Sequence, residues 1–559
     1  MHRREGDLMR RPGDTPAFSL QDQVDFVVIG SGAAGGVMAK ELSTAGFSVV
    51  VLEQGPYLTS DGFKHDEIGD SAARGLGSLE NHTPQSFRTS IDEEPTQRGV
   101  LRYLPMVGGT SVHFTANYWR FREIDFIEKS LFGPVAGTGI EDWPITYADL
   151  EPYYTKVDWE VGVSGGKNHY DPPRSKPYPM PPMPIKSSGV LFKQACEKLG
   201  WHPSPAPMAV LSEPYDGRSP CIHCGFCMGN GCEVKAKSSS LVSMIPKAEA
   251  TGNCEIRPLS TAARIETDSA GRVSRVVYFN ADGVEVAQPC KAAVVCANGC
   301  ETPRLLLMSD SPRFPNGLAN SSGVVGKYLL DNGQVHVLGQ FEEPMNEFKS
   351  IQVTQICWDF YDTDPRRGFW GGGGMDARFQ YGPASFARNG LHPDQPKWGS
   401  EYKRLLAHYY NRTIDVNGHT TTIPLETNNV VLDRNNVDRY GRPGLTVTLA
   451  DHPDDIAVKE FFIERCTEIV TAMNPTRMWD RGLGSRGGQV HLLGTCRMGN
   501  DPETSVVDKY HRAHDVPNLF VCDGSSFVTS GRGQPTMTIQ ALAFRAADHI
   551  AEFARLGEI

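Results

Sequence analysis

The chain has 559 residues, of which 39% are hydrophobic and 22% are charged. This composition is that of a globular protein and excludes collagen-like, disordered and coiled-coil classes. A formal net charge of −11 argues against a general nucleic-acid binder and leaves small neutral substrates or protein partners. At about 150 residues per domain, the length allows about three or four folding units.

The sequence contains no apolar run of about eighteen residues, so we expect no transmembrane helix. Residues 1–20 hold two arginine pairs without an apolar stretch behind them, so we expect no secretory or twin-arginine signal of the chain's own. The protein would then reach the periplasm with a signal-bearing partner or remain in the cytoplasm.

A strand–helix–strand unit is predicted near the start of the chain. The apolar run 24–29 precedes a glycine-rich turn, a helix over 37–45 and a second buried strand over 47–52. Two further strand-to-turn patterns follow at 292–297 and at 519–522. We therefore predict one sheet assembled from both ends of the chain.

The turn after the first strand carries Gly30, Gly32 and Gly35 in a G-x-G-x-x-G pattern. These glycines allow a tight turn, the approach of a pyrophosphate and close packing of helix on strand, while Glu53 could accept hydrogen bonds from a ribose. The alternative is a glycine-rich turn without a ligand. The motif alone does not separate FAD from NAD.

Four more blocks follow in order: residues 107–113 (VGGTSVH), 298–306 (NGCETPRLL), 491–499 (HLLGTCRMG) and 523–539, which starts with DGS and ends with PTMTI. Together they resemble the glucose-methanol-choline (GMC) flavoprotein oxidoreductases over most of the chain. The resemblance implies an α/β, Rossmann-like, doubly wound FAD-binding domain and an α+β substrate domain with a mainly antiparallel sheet. It also implies removal of a hydride from an alcohol carbon.

The predicted organisation is an N-terminal tail (1–20), a first FAD-binding part (21–330), a substrate domain (331–485) and a C-terminal FAD-binding part (486–559). The first part contains a proline-rich loop (165–184) and a cysteine segment (221–238). The expected FAD-binding residues are Gly30, Gly32, Ala33, Ala34, Gly35, Glu53, Gly108, Gly109, Thr110, His113, Asp523, Gly524, Pro535 and Thr536. We expect non-covalent FAD, although a histidine like His113 carries the flavin covalently in some relatives.

His491 begins the block in which the family places its catalytic base, and an imidazole is suited to accept a hydroxyl proton near neutral pH. The alternative is a buried histidine with a structural role. Gln534 stands where the family usually has His or Asn. Because an amide cannot titrate, we expect Gln534 to orient the substrate and we expect no two-base scheme. The helix starting at Pro535 would direct its positive end at the flavin.

Four of the thirteen cysteines, Cys221, Cys224, Cys227 and Cys232, fall within twelve positions. Their spacing is similar to that of iron–sulfur ligands, although a zinc site or paired disulfides are alternatives. Some sugar-oxidising GMC dehydrogenases carry a [3Fe-4S] cluster, and by this resemblance we expect one here, held by three or four of these thiols. A one-electron exit of this kind indicates a dehydrogenase and not an oxidase.

By the same resemblance we expect a sugar or glycoside substrate, a small subunit and a cytochrome as electron acceptor. The favoured reaction oxidises a secondary hydroxyl of a pyranoside to a 3-keto sugar. A gluconate 2-dehydrogenase-like activity and an oxygen-using alcohol oxidase with a structural cysteine segment are the alternatives. Aromatic residues near Trp358 and Trp370 could stack on a sugar ring or pack in the core.

Overall fold

The computed structural model describes residues 9–10, 18–63, 65–67, 83–483 and 489–559. Most of the predicted N-terminal tail and the predicted boundary between residues 485 and 486 lie outside these ranges. Within them, no helix is both long enough and apolar enough to cross a membrane.

The strands of the described residues, numbered in chain order, are β1 (Met9–Arg10), β2 (Val24–Ile29), β3 (Val49–Leu52), β4 (Tyr57–Leu58), β5 (Gln85–Arg88), β6 (Thr96–Gln97), β7 (Pro203–Pro205), β8 (Cys254–Arg257), β9 (Thr261–Thr267), β10 (Val273–Phe279), β11 (Glu285–Val295), β12 (Gly333–Gln340), β13 (Gln355–Cys357), β14 (Gly373–Arg378), β15 (Thr413–Thr420), β16 (Asn429–Val437), β17 (Pro443–Thr448), β18 (Arg477–Asp480) and β19 (Leu519–Val521). The helices are α1 (Ala33–Thr44), α2 (Glu123–Phe126), α3 (Glu128–Phe132), α4 (Tyr147–Val157), α5 (Ser187–Lys198), α6 (Ser240–Ser243), α7 (Ile245–Ala250), α8 (Asn298–Met308), α9 (Pro383–Asn389), α10 (Gly399–Tyr409), α11 (Pro453–Ala472) and α12 (Thr536–Arg555).

The first sheet joins strands from both ends of the chain in the order β8-β3-β2-β11-β10-β9. The end of β11 also pairs in parallel with β19, and β2, β3 and β8 are parallel neighbours. Strands β2 and β3 are buried apolar runs, as strands covered on both faces require. The predicted doubly wound domain and its two-ended assembly are therefore confirmed.

A second sheet of six strands is antiparallel throughout, in the order β18-β12-β15-β14-β13-β7. Helix α11 packs against β12 and β15. Strand β15 (TIDVNGHT) is buried along its whole length, so its polar side chains must find partners inside the protein. The predicted antiparallel substrate sheet is confirmed, and it provides polar groups to the site described below.

The observed sheets can be compared with the predicted domain ranges and inserted segments. The six-stranded sheet also takes in β7, from before residue 331, whereas β16 and β17 join β5 and β6 in a separate four-stranded sheet. The proline-rich loop 165–184 and the cysteine segment 221–238 both lie between the helices and strands named above.

Candidate functional site

The turn between β2 and α1 depends on two glycines. Gly30 has a φ of +95°, and a Cβ there would stand 2.5 Å from the carbonyl oxygen of Cys296. A Cβ on Gly35 would stand 1.9 Å from the carbonyl oxygen of Gly30. These contacts show that the motif shapes the turn and brings the helix against the strand, because any side chain would push the backbones apart.

Glu53 lies at the carboxyl end of β3 and fastens this turn. Its Oε2 accepts hydrogen bonds from the backbone N–H (3.1 Å) and the hydroxyl (2.7 Å) of Ser31, and its Oε1 accepts one from Gly55 N–H (3.0 Å). Burial raises the pKa of Glu53, and these hydrogen bonds oppose that rise. The role towards a ribose stays a prediction.

One cavity of about 1140 Å³ runs from this turn to the antiparallel sheet. The predicted site residues on its wall are Gly30, Gly32, Ala33, Ala34, Glu53, Gly109, Thr110, His113, His491, Asp523, Gly524, Gln534, Pro535 and Thr536. Gly35 packs behind the wall against Gly30, and the Cβ direction of Gly108 faces Leu241, 2.8 Å from its Cβ. The sequence blocks therefore meet around a single space, with Gly35 and Gly108 in supporting positions.

The wall has the properties of a dinucleotide site. Asn117 lies on it, is 2% exposed, and neither polar atom of its amide has a partner among the described residues. A buried amide of this kind indicates a polar ligand in the cavity, because such groups are almost always hydrogen-bonded. Gly32 and the N-terminus of α1 line the cavity, and a helix N-terminus behind such a glycine turn is the usual binding site for a pyrophosphate.

Asp523 joins the C-terminal block to the rest of this wall. Its Oδ2 accepts from Asn298 N–H (2.9 Å) and the Thr302 hydroxyl (2.6 Å), and its Oδ1 accepts from Ser525 N–H (2.7 Å). Burial raises the pKa of Asp523, against these hydrogen bonds. The turns after β11 and β19 are thereby locked together beside the cavity.

His491 is held in one orientation by a side chain that its motif does not contain. Nδ1 of His491 lies 2.9 Å from Oδ1 of Asn332. The Asn332 amide nitrogen donates to the carbonyls of Ser530 (3.2 Å) and Gly531 (3.3 Å), so its oxygen faces the imidazole. Nδ1 therefore carries the imidazole hydrogen and donates a hydrogen bond to Asn332, so Nε2 is unprotonated and has a free lone pair.

Burial, followed by the neighbouring His419 and Arg378, lowers the pKa of His491 to about 3. Its imidazole is therefore neutral at pH 7. A neutral imidazole with an unprotonated Nε2 can accept a proton from a hydroxyl group placed in the cavity.

Gln534 stands beside a buried polar cluster from the antiparallel sheet. Its Nε2 lies 3.3 Å from Nδ1 of His419, and Nε2 of His419 lies 3.0 Å from Asp376 and 2.8 Å from Arg378. The fold thus brings a second imidazole, His419 of β15, beside Gln534, but His419 is not among the cavity-lining residues, so the expectation of no two-base scheme stays a prediction. Burial lowers the pKa of His419, which favours the neutral imidazole.

The end of the cavity formed by the antiparallel sheet is polar. Side chains with amide, hydroxyl or guanidinium groups line it: Gln334, Arg378, Gln380, Tyr381, Ser385 and Asn389. Sequence reasoning missed these residues, Asn332 and the His419 cluster, since they occur in no short motif. Trp358 and Trp370 are 4% and 6% exposed and are not among the cavity-lining residues, so they pack in the core.

The cysteine segment lies against the same cavity. Met228 and Gly229 line it, and Gly229 N–H donates to the His113 carbonyl at 2.9 Å. Nζ of Lys237, which is 2% exposed, donates to the carbonyls of Cys227 (2.6 Å), Asn230 (2.7 Å) and Phe114 (3.1 Å). A buried ammonium group thus ties the segment to Phe114, which directly follows the block at 107–113.

The four thiols are free and partly exposed, and burial raises the pKa of Cys221 to about 11 and of Cys227 to about 12. However, no three His, Cys, Asp or Glu side chains of the described residues are arranged to hold a metal ion. The predicted ligand set of Cys221, Cys224, Cys227 and Cys232 therefore stays a prediction. Cys227 lies close enough to Cys221, Cys224 and Cys232 for their charges to raise its pKa, while the carbonyls of Cys227 and Asn230 converge on Lys237.

Known proteins agree with this geometry. Two GMC oxidoreductase models match residues 141–332 and 424–543, and an NAD(P)-binding Rossmann-like model matches residues 28–94. A 2-methyl-1,2-propanediol dehydrogenase of Mycolicibacterium austroafricanum is 35% identical, with 95% of each chain covered. The fructose dehydrogenase large subunit of Gluconobacter japonicus is 30% identical, with 95% of this chain and 98% of the relative covered.

A solved structure has the same fold. The crystal structure of pyridoxine 4-oxidase from Mesorbium loti superposes with a TM-score of 0.64 at 16% identity, over 94% of this chain and 99% of that one. With the family models and the relatives above, the chain is thus an oxidoreductase of the flavoprotein fold class. It belongs to the GMC oxidoreductase family, as the resemblance predicted.

Proposed function

We propose that this protein is an FAD-dependent dehydrogenase that oxidises a CH–OH group of a polyol or sugar. The observation that carries the substrate class is the polar lining of the cavity beside His491, where Gln334, Gln380, Ser385 and Asn389 offer hydrogen bonds to several hydroxyl groups. Relatives named for a propanediol and for fructose support the same class.

The residues would divide the work as follows. Nε2 of His491 takes the hydroxyl proton, Asn332 keeps that nitrogen unprotonated, and Gln534 orients the hydroxyl group. FAD, bound along the wall from Gly30 to Thr536, would accept the hydride from the carbon. The alcohol thereby loses one proton and one hydride and becomes a carbonyl compound.

The finer substrate assignment is a pyranoside oxidised at a secondary hydroxyl, with a 3-keto sugar as product. Anaerobic bleaching of the flavin tests it with methyl glucosides, disaccharides, gluconate, 2-methyl-1,2-propanediol and ethanol, followed by NMR of the product. A carbonyl at carbon 3 is the expected result. Bleaching by ethanol alone would contradict a polyol or sugar substrate, and a product oxidised elsewhere would contradict the 3-keto assignment.

We further propose that electrons leave to a one-electron acceptor and not to oxygen, with a partner subunit docked on this chain and a cytochrome beyond it. The name of the fructose dehydrogenase relative denotes a large subunit, which supports a partner. Turnover with a ferricyanide-type acceptor and no peroxide release is expected. Peroxide in proportion to product would favour the oxidase alternative.

The iron–sulfur cluster stays a hypothesis that the arrangement of the thiols does not favour. Iron and acid-labile sulfide analysis, with paramagnetic resonance of the purified protein, tests it directly. Iron below one atom per chain would remove the cluster, while the proposed dehydrogenase activity would stand. Periplasmic residence with a signal-bearing partner is likewise a proposal, which cell fractionation with and without that partner would test.

A further inference from the structure

A buried ion pair forms part of the cavity wall at the substrate end. Nε of Arg378 lies 2.6 Å from Oδ1 of Asp376, and Nη2 of Arg378 contacts Oδ2. The two residues are 3% and 0% exposed. Burial alone would raise the pKa of Asp376, but Arg378 and His419 outweigh it and hold that pKa at about 2. Both partners are therefore charged, and together they carry no net charge.

One part of the guanidinium remains available to a ligand. Nη1 of Arg378 makes no hydrogen bond to any residue that the structure describes, whereas Nε and Nη2 are engaged by Asp376 and His419. Arg378 lines the cavity and is close enough to His491 to lower its pKa. Its free N–H groups can therefore donate to an oxygen of a substrate that reaches His491.

Among the residues that the structure describes, the other charges around this end do not add an unpaired cation for an anionic ligand. Arg481 donates to the hydroxyl of Tyr381, which lies 3.5 Å from Oδ2 of Asp415, so the positive charge of Arg481 and the negative charge of Asp415 stand on either side of this hydroxyl. Glu67 adds a negative charge at the start of α9, where it accepts from Ser385 N–H at 2.8 Å. Nδ1 of His336 lies 3.1 Å from Oδ1 of Asp415.

We infer that the Asp376–Arg378 pair makes this site selective for neutral polyhydroxylated alcohols over sugar acids, with Nη1 of Arg378 donating to a substrate hydroxyl. A carboxylate would bring a further negative charge into a buried site. No positive charge would balance it there, because Asp376 already neutralises Arg378. A hydroxyl oxygen needs only the free donor. This inference rests on the proposed function, since it names the substrate class for the same cavity.

The test compares kcat/KM for flavin reduction in the FAD-loaded protein with two pairs of substrates: methyl glucoside against methyl glucuronide, and glucitol against gluconate. Within each pair the carbon skeleton is the same and only the second member carries a carboxylate. The wild type is expected to favour the neutral substrate by about tenfold or more. Equal rates, or a preference for gluconate, would overturn the inference. Absence of reduction by every polyol would overturn the proposed function instead, so the two failures are distinguishable.

Two variants then assign the selectivity to the pair. Asp376→Asn keeps the shape but frees the positive charge of Arg378, so the preference should move towards gluconate by about tenfold or more. The double variant Asp376→Asn with Arg378→Gln removes both charges. Its preference should return to the neutral substrate, with a raised KM because the donor is lost. A ratio unchanged in the single variant would overturn the inference.

Glu347→Gln is the matched control for loss of a buried carboxylate. Glu347 is 2% exposed, pairs with Lys186 at 2.9 Å and is not among the cavity-lining residues, so its removal should leave the ratio unchanged. FAD content and melting temperature are measured for every variant. If Asp376→Asn fails to bind FAD, the inference is tested instead by inhibition of the wild-type protein. Gluconate should then inhibit flavin reduction by methyl glucoside at least about tenfold more weakly than neutral xylitol, and equal inhibition would refute the inference.

Discussion

Replacement of Asn332 by leucine should stop His491 from acting as a base, although His491 itself is unchanged. Leucine has a similar size but offers no acceptor to the Nδ1–H of His491, which now lies 2.9 Å from Asn332 Oδ1. A buried donor left without a partner costs about 1–3 kcal/mol. The imidazole would escape this cost by moving its proton to Nε2, the nitrogen that must accept the substrate proton.

The size of the effect follows from that free energy. A loss of about 1–3 kcal/mol corresponds to roughly a 5- to 150-fold change in the ratio of the two tautomers. Stopped-flow measurement of anaerobic flavin reduction should show a rate lower by a similar factor, with FAD content unchanged. Asn428→Leu is the control, because Asn428 is also buried but its side chain, among the described residues, bonds only the backbone of Ala450.

A double-mutant cycle separates this role from general damage. If Asn332 acts through His491, then Asn332→Leu should have no further effect in a protein that already carries His491→Ala. Additive losses in the double variant would refute the argument, as would an Asn332→Leu rate within about threefold of the wild type.

Three further outcomes are expected. Burial lowers the pKa of His491 to about 3, and a base works in its unprotonated form above its pKa. The rate of flavin reduction should therefore stay constant as the pH falls from 8 to 5. A loss of rate with a midpoint near pH 6.5 would contradict this. Gly35→Ala places a Cβ 1.9 Å from the Gly30 carbonyl, so the purified variant should contain little FAD, and a normal flavin-to-protein ratio would count against the packing argument. Lys237→Met removes three hydrogen bonds from the cysteine segment and should speed thiol labelling at Cys221 to Cys232 about tenfold, whereas unchanged labelling would mean that Lys237 does not hold the loop.

The parts predicted from sequence are those whose signal is local. The strand, glycine turn and helix around Gly30 form a short pattern with a known physical reason, and all three occur, although the helix begins at Ala33, four residues before its predicted start. His491 and Gln534 were found through family blocks, and both line the cavity. In each case neighbouring residues in the chain determine the structure.

The parts that could not be predicted depend on register between distant strands. Asp376 and Arg378 share one face of β14, where Asp376 stands opposite Asn417 of β15, and His419 lies two residues further along β15. Only the pairing of these strands brings His419 beside Gln534. The cysteine spacing suggested convergent thiols, but it did not reveal that Lys237, ten residues beyond Cys227, would organise the loop.

The pairing of β11 with β19 has a consequence for biosynthesis. Ala293 pairs with Leu519, so the parallel sheet is complete only after nearly the whole chain has left the ribosome. Long-range parallel pairing of this kind folds slowly and leaves an open strand edge exposed meanwhile. A nascent chain stalled before β19 would therefore lack both the sheet edge and the Gln534 loop, and it would depend on chaperones until its last strand arrives.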